Sequence, residues 1–258
     1  MTKNILITGG SSGLGAALAE YYAAQGHRLF IGGRHGARLN EVAERCRALG
    51  ADVHMQVVHV EAEALMHQWI LGLDKRFPLD LVIANAGVSG GTSGLSPEEF
   101  SRQSHHIFDV NVMGVLNTIG AVLPRMVSRK GGQIAIVSSL SSFAGWPGAP
   151  AYSASKAAVR FYGEALRGRF QRNGLKISVI CPGFIRSAMT DVNPFPMPFL
   201  MEASKAAEKI AKGLERDKPV ITFPWQVMLV SKLIGLLPIR MRIAFLSHAP
   251  EKSSLQNF

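Results

Sequence analysis

Residues 4–26 read NILITGGSSGLGAALAEYYAAQG, and the succession of residue types in that stretch sets the fold class. NILIT is a short apolar run suited to a buried strand. GLGAALAEYYAAQG carries apolar residues at helical spacing and stops at Gly26. Between them TGGSSGLG, residues 8–15, places a glycine-rich turn between a strand end and a helix start. Small residues there let the backbone close on a phosphate, and the free N–H groups of the helix N-terminus favour an anion. The candidate phosphate-binding residues are Gly9, Ser11, Ser12, Gly13, Leu14 and Gly15. The spacing is T-G-x-x-x-G-x-G rather than G-x-G-x-x-G. A tight strand–helix connection would also use such glycines, but its place directly after the first strand favours a nucleotide.

The alternation continues along the chain. Strands are expected at 28–32, 52–58, 80–85, 133–138, 176–182 and 220–223. Helices are expected at about 36–49, up to about 75, 151–172 and 202–216, with one long helix or two over 97–128. Alternating β and α elements build a parallel sheet covered on both faces. The expectation is therefore an α/β, single-domain Rossmann-type doubly wound parallel sheet of about seven strands. Residues 1–223 form the nucleotide-binding catalytic body, and 224–258 a helical extension of the same domain.

Apolar residues make up 47% of the 258, enough for a substantial core, and the charged runs of a disordered chain do not occur. Two cysteines, Cys46 and Cys181, are too few for a disulfide framework, no metal site is expected, and a cytoplasmic location is. No uninterrupted apolar run reaches the length of a spanning helix. The net charge of +10 comes from scattered basic residues without a nucleic-acid motif, so no nucleic-acid partner is expected.

The second strand should end beside the adenine ribose, where an acid would select a free 2′-hydroxyl. This chain has Gly32, Gly33 and Arg34 there, with Arg38 one turn later. Planar guanidinium groups match a 2′-phosphate, which favours NADP(H) over NAD(H). Val60 is placed to pack against adenine, and Asn85, Ala86 and Gly87 of ANAG would let backbone pass close to the cofactor.

The stretch 137–156, VSSLSSFAGWPGAPAYSASK, ends in Tyr152 and Lys156, which share one face of a helix. Hydride reduction of a carbonyl leaves an alkoxide that a phenol can protonate. A nearby ammonium lowers the phenol pKa from about 10 and supports the reverse reaction. A serine hydroxyl beside Tyr152 would orient the carbonyl oxygen. Ser138, Ser139, Ser141 and Ser142 all qualify on residue type.

TGGSSGLG, ANAG, Asn111 in FDVNVMG, the strand-end serines, YSASK and CPGFIRSAM, in that order over about residues 3–190, resemble the short-chain dehydrogenase/reductase family in its compact single-domain branch. The resemblance implies a catalytic serine thirteen residues before the tyrosine, which selects Ser139. It implies that Asn111 is a fourth catalytic residue whose backbone carbonyl holds a water linking to the lysine, and that Tyr152 and Lys156 also bind cofactor. It assigns Pro182, Gly183 and Ile185 to the nicotinamide side. His59 stands where relatives often carry Asp, and Ser187 where Thr is usual.

After the P-G turn, MTDVNPFPMPFLME (189–202) is apolar and broken by Pro194, Pro196 and Pro198. Phe143, Trp146, Phe195 and Phe199 suggest a pocket for a hydrophobic carbonyl or alcohol, although ordinary loop packing would use the same residues. WQVMLVSKLIGLL (225–237) reads as a helix with a narrow polar arc, followed by Arg240 and Arg242. It suits a subunit interface, packing on the body, or peripheral membrane contact through 225–242. A homo-dimer or homo-tetramer is expected. The expected activity is that of an NADP(H)-dependent oxidoreductase acting on a small carbonyl or alcohol. A non-catalytic nucleotide-binding scaffold protein, or an epimerase or dehydratase on the same fold, is the alternative.

Overall fold

The structure is a computed structural model describing residues 2–193, 195–247 and 252–255; Pro194 and residues 248–251 and 256–258 of the expected extension lie outside them. Seven strands form one parallel sheet in the order β3-β2-β1-β4-β5-β6-β7. They are β1 (Asn4–Thr8), β2 (Arg28–Gly33), β3 (Val53–Val57), β4 (Leu81–Ala84), β5 (Gln133–Val137), β6 (Lys176–Pro182) and β7 (Val220–Phe223).

Successive side chains of a strand point to opposite faces, and here both faces are covered. Ile5 and Ile7 of β1, Leu29 and Ile31 of β2, and Ala135 and Val137 of β5 enter one core. Leu6, Phe30, Ile134 and Ile136 enter the other. Burial on both sides is why these strands read as unbroken apolar runs. The first core is covered by α1 (Gly13–Ala23), α2 (Gly36–Ala48) and α8 (Ala203–Glu215); the second by α3 (Glu63–Arg76), α4 (Pro97–Phe108), α5 (Gly114–Ser128) and α6 (Pro150–Phe170).

The stretch 97–128 is continuous, α4 joining α5 through a π turn at Asp109–Met113. Its length and apolar content would suffice to cross a bilayer, yet α5 packs Val115, Ile119 and Val122 into the second core. Asp74, at the end of α3, ties that layer together. Its buried carboxylate accepts from the Leu79 N–H at 2.9 Å and from both Arg125 and Arg129. Burial alone would raise this carboxyl, but those donors hold it below the usual range.

Sheet order reverses between β1 and β4, so the crevice at the carboxyl ends of those strands is where a ligand site is expected. Thr8 Oγ1 accepts from the N–H groups of Asn85 and Ala86, while Asn85 Nδ2 donates to the carbonyls of Thr8 and Gly9. The crevice floor is thereby fixed. Beyond β6 come α7 (Ala188–Asp191), α9 (Trp225–Leu236) and α10 (Ile239–Leu246).

Candidate active site

A cavity of about 960 Å³ opens at that crevice and runs from Arg34 and Arg38 to the C-terminal residues 252–255. One end is built of backbone. Gly9 has φ +67°, and a Cβ on it would lie 2.8 Å from Ala86 Cα. A Cβ on Gly15 would collide with the Gly9 carbonyl. These positions must lack side chains for the turn to close over the start of α1. Ser11, Ser12, Gly13 and Leu14 line the same end, as do Asn85, Ala86 and Gly87 from the β4 exit. A cradle of this form suits a dinucleotide pyrophosphate.

At the far rim Arg34 and Arg38 are exposed on the cavity wall. After burial, these two guanidinium groups are what hold the His35 imidazole below its ordinary pKa. Val60 is buried at the wall against Gly114, and His59 beside it pairs with Glu61 at 3.1 Å.

The reacting end is built by the β5 exit and α6. Ser139, Tyr152 and Lys156 line the cavity together, the Ser139 side chain beside the Tyr152 phenol. The structure separates the serines by what each one touches. Ser138 Oγ donates to the Lys156 carbonyl at 2.7 Å and so is committed to holding α6. Ser142 is buried and lies off the cavity lining. Ser141 lines the cavity, and its backbone N–H donates to Ser139 Oγ at 3.2 Å. Lys156 Nζ donates to the Val137 carbonyl at 3.0 Å and lies 5.9 Å from the centre of the Tyr152 ring.

Burial raises the Tyr152 phenol, and the neighbouring Ser139 offsets part of that rise. This net direction is opposite to the lowering expected from a neighbouring ammonium, and desolvation of the phenolate is its main cause. Burial also brings the Lys156 ammonium down to about 8, opposed by Cys181. At neutral pH the pair is a protonated phenol beside a cationic lysine.

Asn111 is fully buried in the π turn and does not reach the cavity wall. Its Oδ1 accepts from Val88 N–H at 2.8 Å, and its Nδ2 donates to the Val88 carbonyl and Ser155 Oγ. The side chain thus pins the β4 exit to α6. Pro182, Gly183 and Ile185 also line the cavity. Ser187 lies there too, in a reciprocal capping arrangement with Thr190.

Of the four aromatic pocket candidates, Trp146 and Phe195 line the cavity. Phe143 and Phe199 do not. Phe143 lies between the Arg160 guanidinium at 4.4 Å and Lys232, packed below α9, and Phe199 is half exposed. The apolar wall that sequence reasoning missed comes from α9, through Val227, Val230 and Ile234. Their i, i+3, i+7 spacing was the available signal. Ser89 and Lys252, also missed, meet in the cavity from positions 163 residues apart, and nothing local announces that pairing.

A family model described as short chain dehydrogenase matches residues 3–194. An uncharacterized oxidoreductase of Myxococcus xanthus is 41% identical over 238 residues, covering 92% of this chain and 93% of the relative. The oxidoreductase UcpA of Salmonella typhimurium is 32% identical, covering 83% and 84% of the two chains. Among solved structures, a short-chain dehydrogenase from Sphingobium yanoikuyae in complex with NADPH superposes with a TM-score of 0.79 at 25% identity, covering 99% of this chain and all of the other.

Proposed function

The chain belongs to the short-chain dehydrogenase family of oxidoreductases, and on that premise we propose that it interconverts a hydrophobic ketone or aldehyde and an alcohol with NADP(H). The observation that carries this reading is that Ser139, Tyr152 and buried Lys156 lie together in the same cavity as the glycine-built turn. A bound nicotinamide cofactor supplies or takes the hydride. The chain's own residues do the rest. The turn at 9–15 and the β4 exit hold the dinucleotide, and Arg34 and Arg38 meet a 2′-phosphate with charge-assisted hydrogen bonds.

Ser139 donates to the carbonyl oxygen, and Tyr152 delivers its phenolic proton as charge develops there. The raised phenol suits the reductive direction, since it stays protonated across neutral pH. Lys156 contributes a fixed positive charge and a donor toward the nicotinamide ribose. The Asn111 side chain holds the β4 exit against α6 through Val88 and Ser155, and the water-holding role falls to its backbone carbonyl. The apolar wall of Trp146, Phe195, Val230 and Ile234 excludes water and receives a hydrocarbon chain. A panel of ketones, aldehydes and alcohols with NADPH and NADH, followed by absorbance of the reduced cofactor, tests the assignment. Turnover of apolar carbonyls with NADPH is expected. Turnover confined to small polar carbonyls, or equal use of NADH, would contradict it.

For the outer faces of α9 and α10, peripheral contact with an anionic lipid surface is the reading we favour. Trp225, Leu233, Ile243 and Phe245 are exposed there. Lys232, Arg240 and Arg242 accompany them, and no Asp or Glu lies between 225 and 247. The wild-type chain should sediment with anionic vesicles, and a Leu233→Ser/Phe245→Ser variant should not. A salt-independent homo-dimer or homo-tetramer that ignores vesicles would assign this face to a second copy instead.

A further inference from the structure

The C-terminal residues 252–255 are built into the cavity wall. Gly91 N–H donates to the Ser253 carbonyl at 2.7 Å, and Leu255 N–H donates to Gln103 Oε1 at 2.7 Å. Gln103 Nε2 in turn donates to the Gly91 carbonyl at 2.8 Å, and Ser93 bridges Ser253. No side chain fits at residue 91, because a Cβ there would overlap the Lys252 carbonyl. Leu255 packs against the second core. The segment is therefore held by specific contacts to the β4 exit loop and to α4.

That seating delivers Lys252 to the reacting end. Its Nζ donates to the buried Ser89 Oγ at 2.7 Å and lies 5.5 Å from the centre of the Tyr152 ring. An ammonium has three donors. Ser89 takes one, and among the described residues no carboxylate pairs with it. A partly buried cation left with unspent donors in a ligand cavity is costly unless a ligand completes it. Burial accordingly brings this ammonium down to about 8. Lys156, the other cation beside the Tyr152 ring, is turned to the Val137 carbonyl instead. Arg34 and Arg38 lie across the cavity, beyond the glycine turn.

We propose that Lys252, held by Ser89, is the recognition site for a carboxylate on the substrate, so that the substrate is an oxo acid or hydroxy acid with an apolar chain. The substrate class rests on the carbonyl–alcohol reading given above; the anion site rests on the Lys252 geometry. With the carboxylate on Lys252, the carbonyl a few bonds away meets Tyr152 and Ser139, and the chain follows the α9 wall.

The matched probes are 4-oxononanoate and its methyl ester, titrated calorimetrically into the full-length chain saturated with NADP⁺, then assayed for turnover with NADPH. The wild type should bind the carboxylate on the order of 10- to 100-fold more tightly than the ester, the range of one charge-assisted hydrogen bond. Lys252→Met should abolish that ratio and Lys252→Arg should keep most of it. The ratio should also fade as pH rises above about 8. Equal binding of acid and ester by the wild type, or a ratio surviving in Lys252→Met, would overturn the proposal. So would a Lys252→Met variant weakened only toward NADPH, which would place the ammonium on the dinucleotide. Preferential binding of the acid without turnover would uphold the anion site and sink the carbonyl reading. Equal turnover of both probes would do the reverse.

Discussion

The two ends of the cavity are built on different principles. The end proposed for the cofactor is made of backbone: Gly9 and Gly15 leave no room for a Cβ, and Thr8 and Asn85 lock β1 to the β4 exit. The end proposed for the substrate is made of side chains brought from far apart in sequence, with Ser89 and Lys252 separated by 163 positions and α9 supplying the apolar wall. A backbone-built site fixes one ligand shape and tolerates little change. A site walled by side chains from the chain's last elements allows the substrate to change while the cofactor stays the same.

A large loss is expected at Ser139, which lines the cavity beside Tyr152. Ser139→Ala should lower kcat/KM by about 100- to 1000-fold, the range for losing one oriented donor to a developing oxyanion. Initial rates with saturating NADPH check this, and a loss below about 3-fold would remove Ser139 from the mechanism.

At the cofactor end, Arg34→Ala/Arg38→Ala should erase about 10- to 100-fold of discrimination between NADPH and NADH without altering preference among carbonyls. Fluorescence titration with both cofactors gives the ratio, and an unchanged ratio would mean that the arginines serve only solubility. At the substrate end, Ile234→Asp should raise KM for apolar carbonyls about 10-fold while leaving the cofactor ratio intact. A loss of cofactor binding instead would show that the two ends are not separable.

A smaller effect is expected from pH. Burial lowers Lys156 to about 8 and raises Tyr152, so the lysine loses its charge first as pH rises. Reductive kcat/KM should be level from pH 6 to 7.5 and decline above about 8, while the phenol still holds its proton. A profile flat to pH 9.5 would contradict that order.

The framework control is Asp74→Asn, which weakens the buried contacts to Arg125 and Arg129. A loss of about 1–3 kcal/mol in urea unfolding is expected, with both ligand preferences unchanged. Because the folded-state carboxyl is held low, this stabilisation is present above the unfolded-state carboxyl pKa. It is lost as pH falls through the lower folded value.

The same contrast explains what could be read before the structure. Strands β1, β6 and β7 fall where the apolar runs put them, because burial on both faces leaves a local signature. The continuity of α4 and α5 was open, since a π turn at Asp109–Met113 has no marker in residue type. The glycine turn was legible because its backbone demands are local, Gly9 and Gly15 leaving no room for a Cβ. Among the serines, composition could not choose. The structure distinguishes Ser138 from Ser139 by their contacts, the first with the Lys156 carbonyl and the second with Tyr152. Phe143 and Phe199 illustrate the limit, because aromatic content does not say which way a loop residue faces. Lys252 shows it more strongly, since its position depends on a tail returning to Gly91 and Gln103.

The most direct test of the reaction assignment is Tyr152→Phe, which removes one oxygen from the reacting end and leaves the backbone-built end untouched. NADPH affinity, titrated by fluorescence, should stay within about 3-fold of wild type. Carbonyl reduction should fall by about 100- to 10,000-fold, the range of a lost general acid. Retained turnover with NADPH still bound would contradict the account.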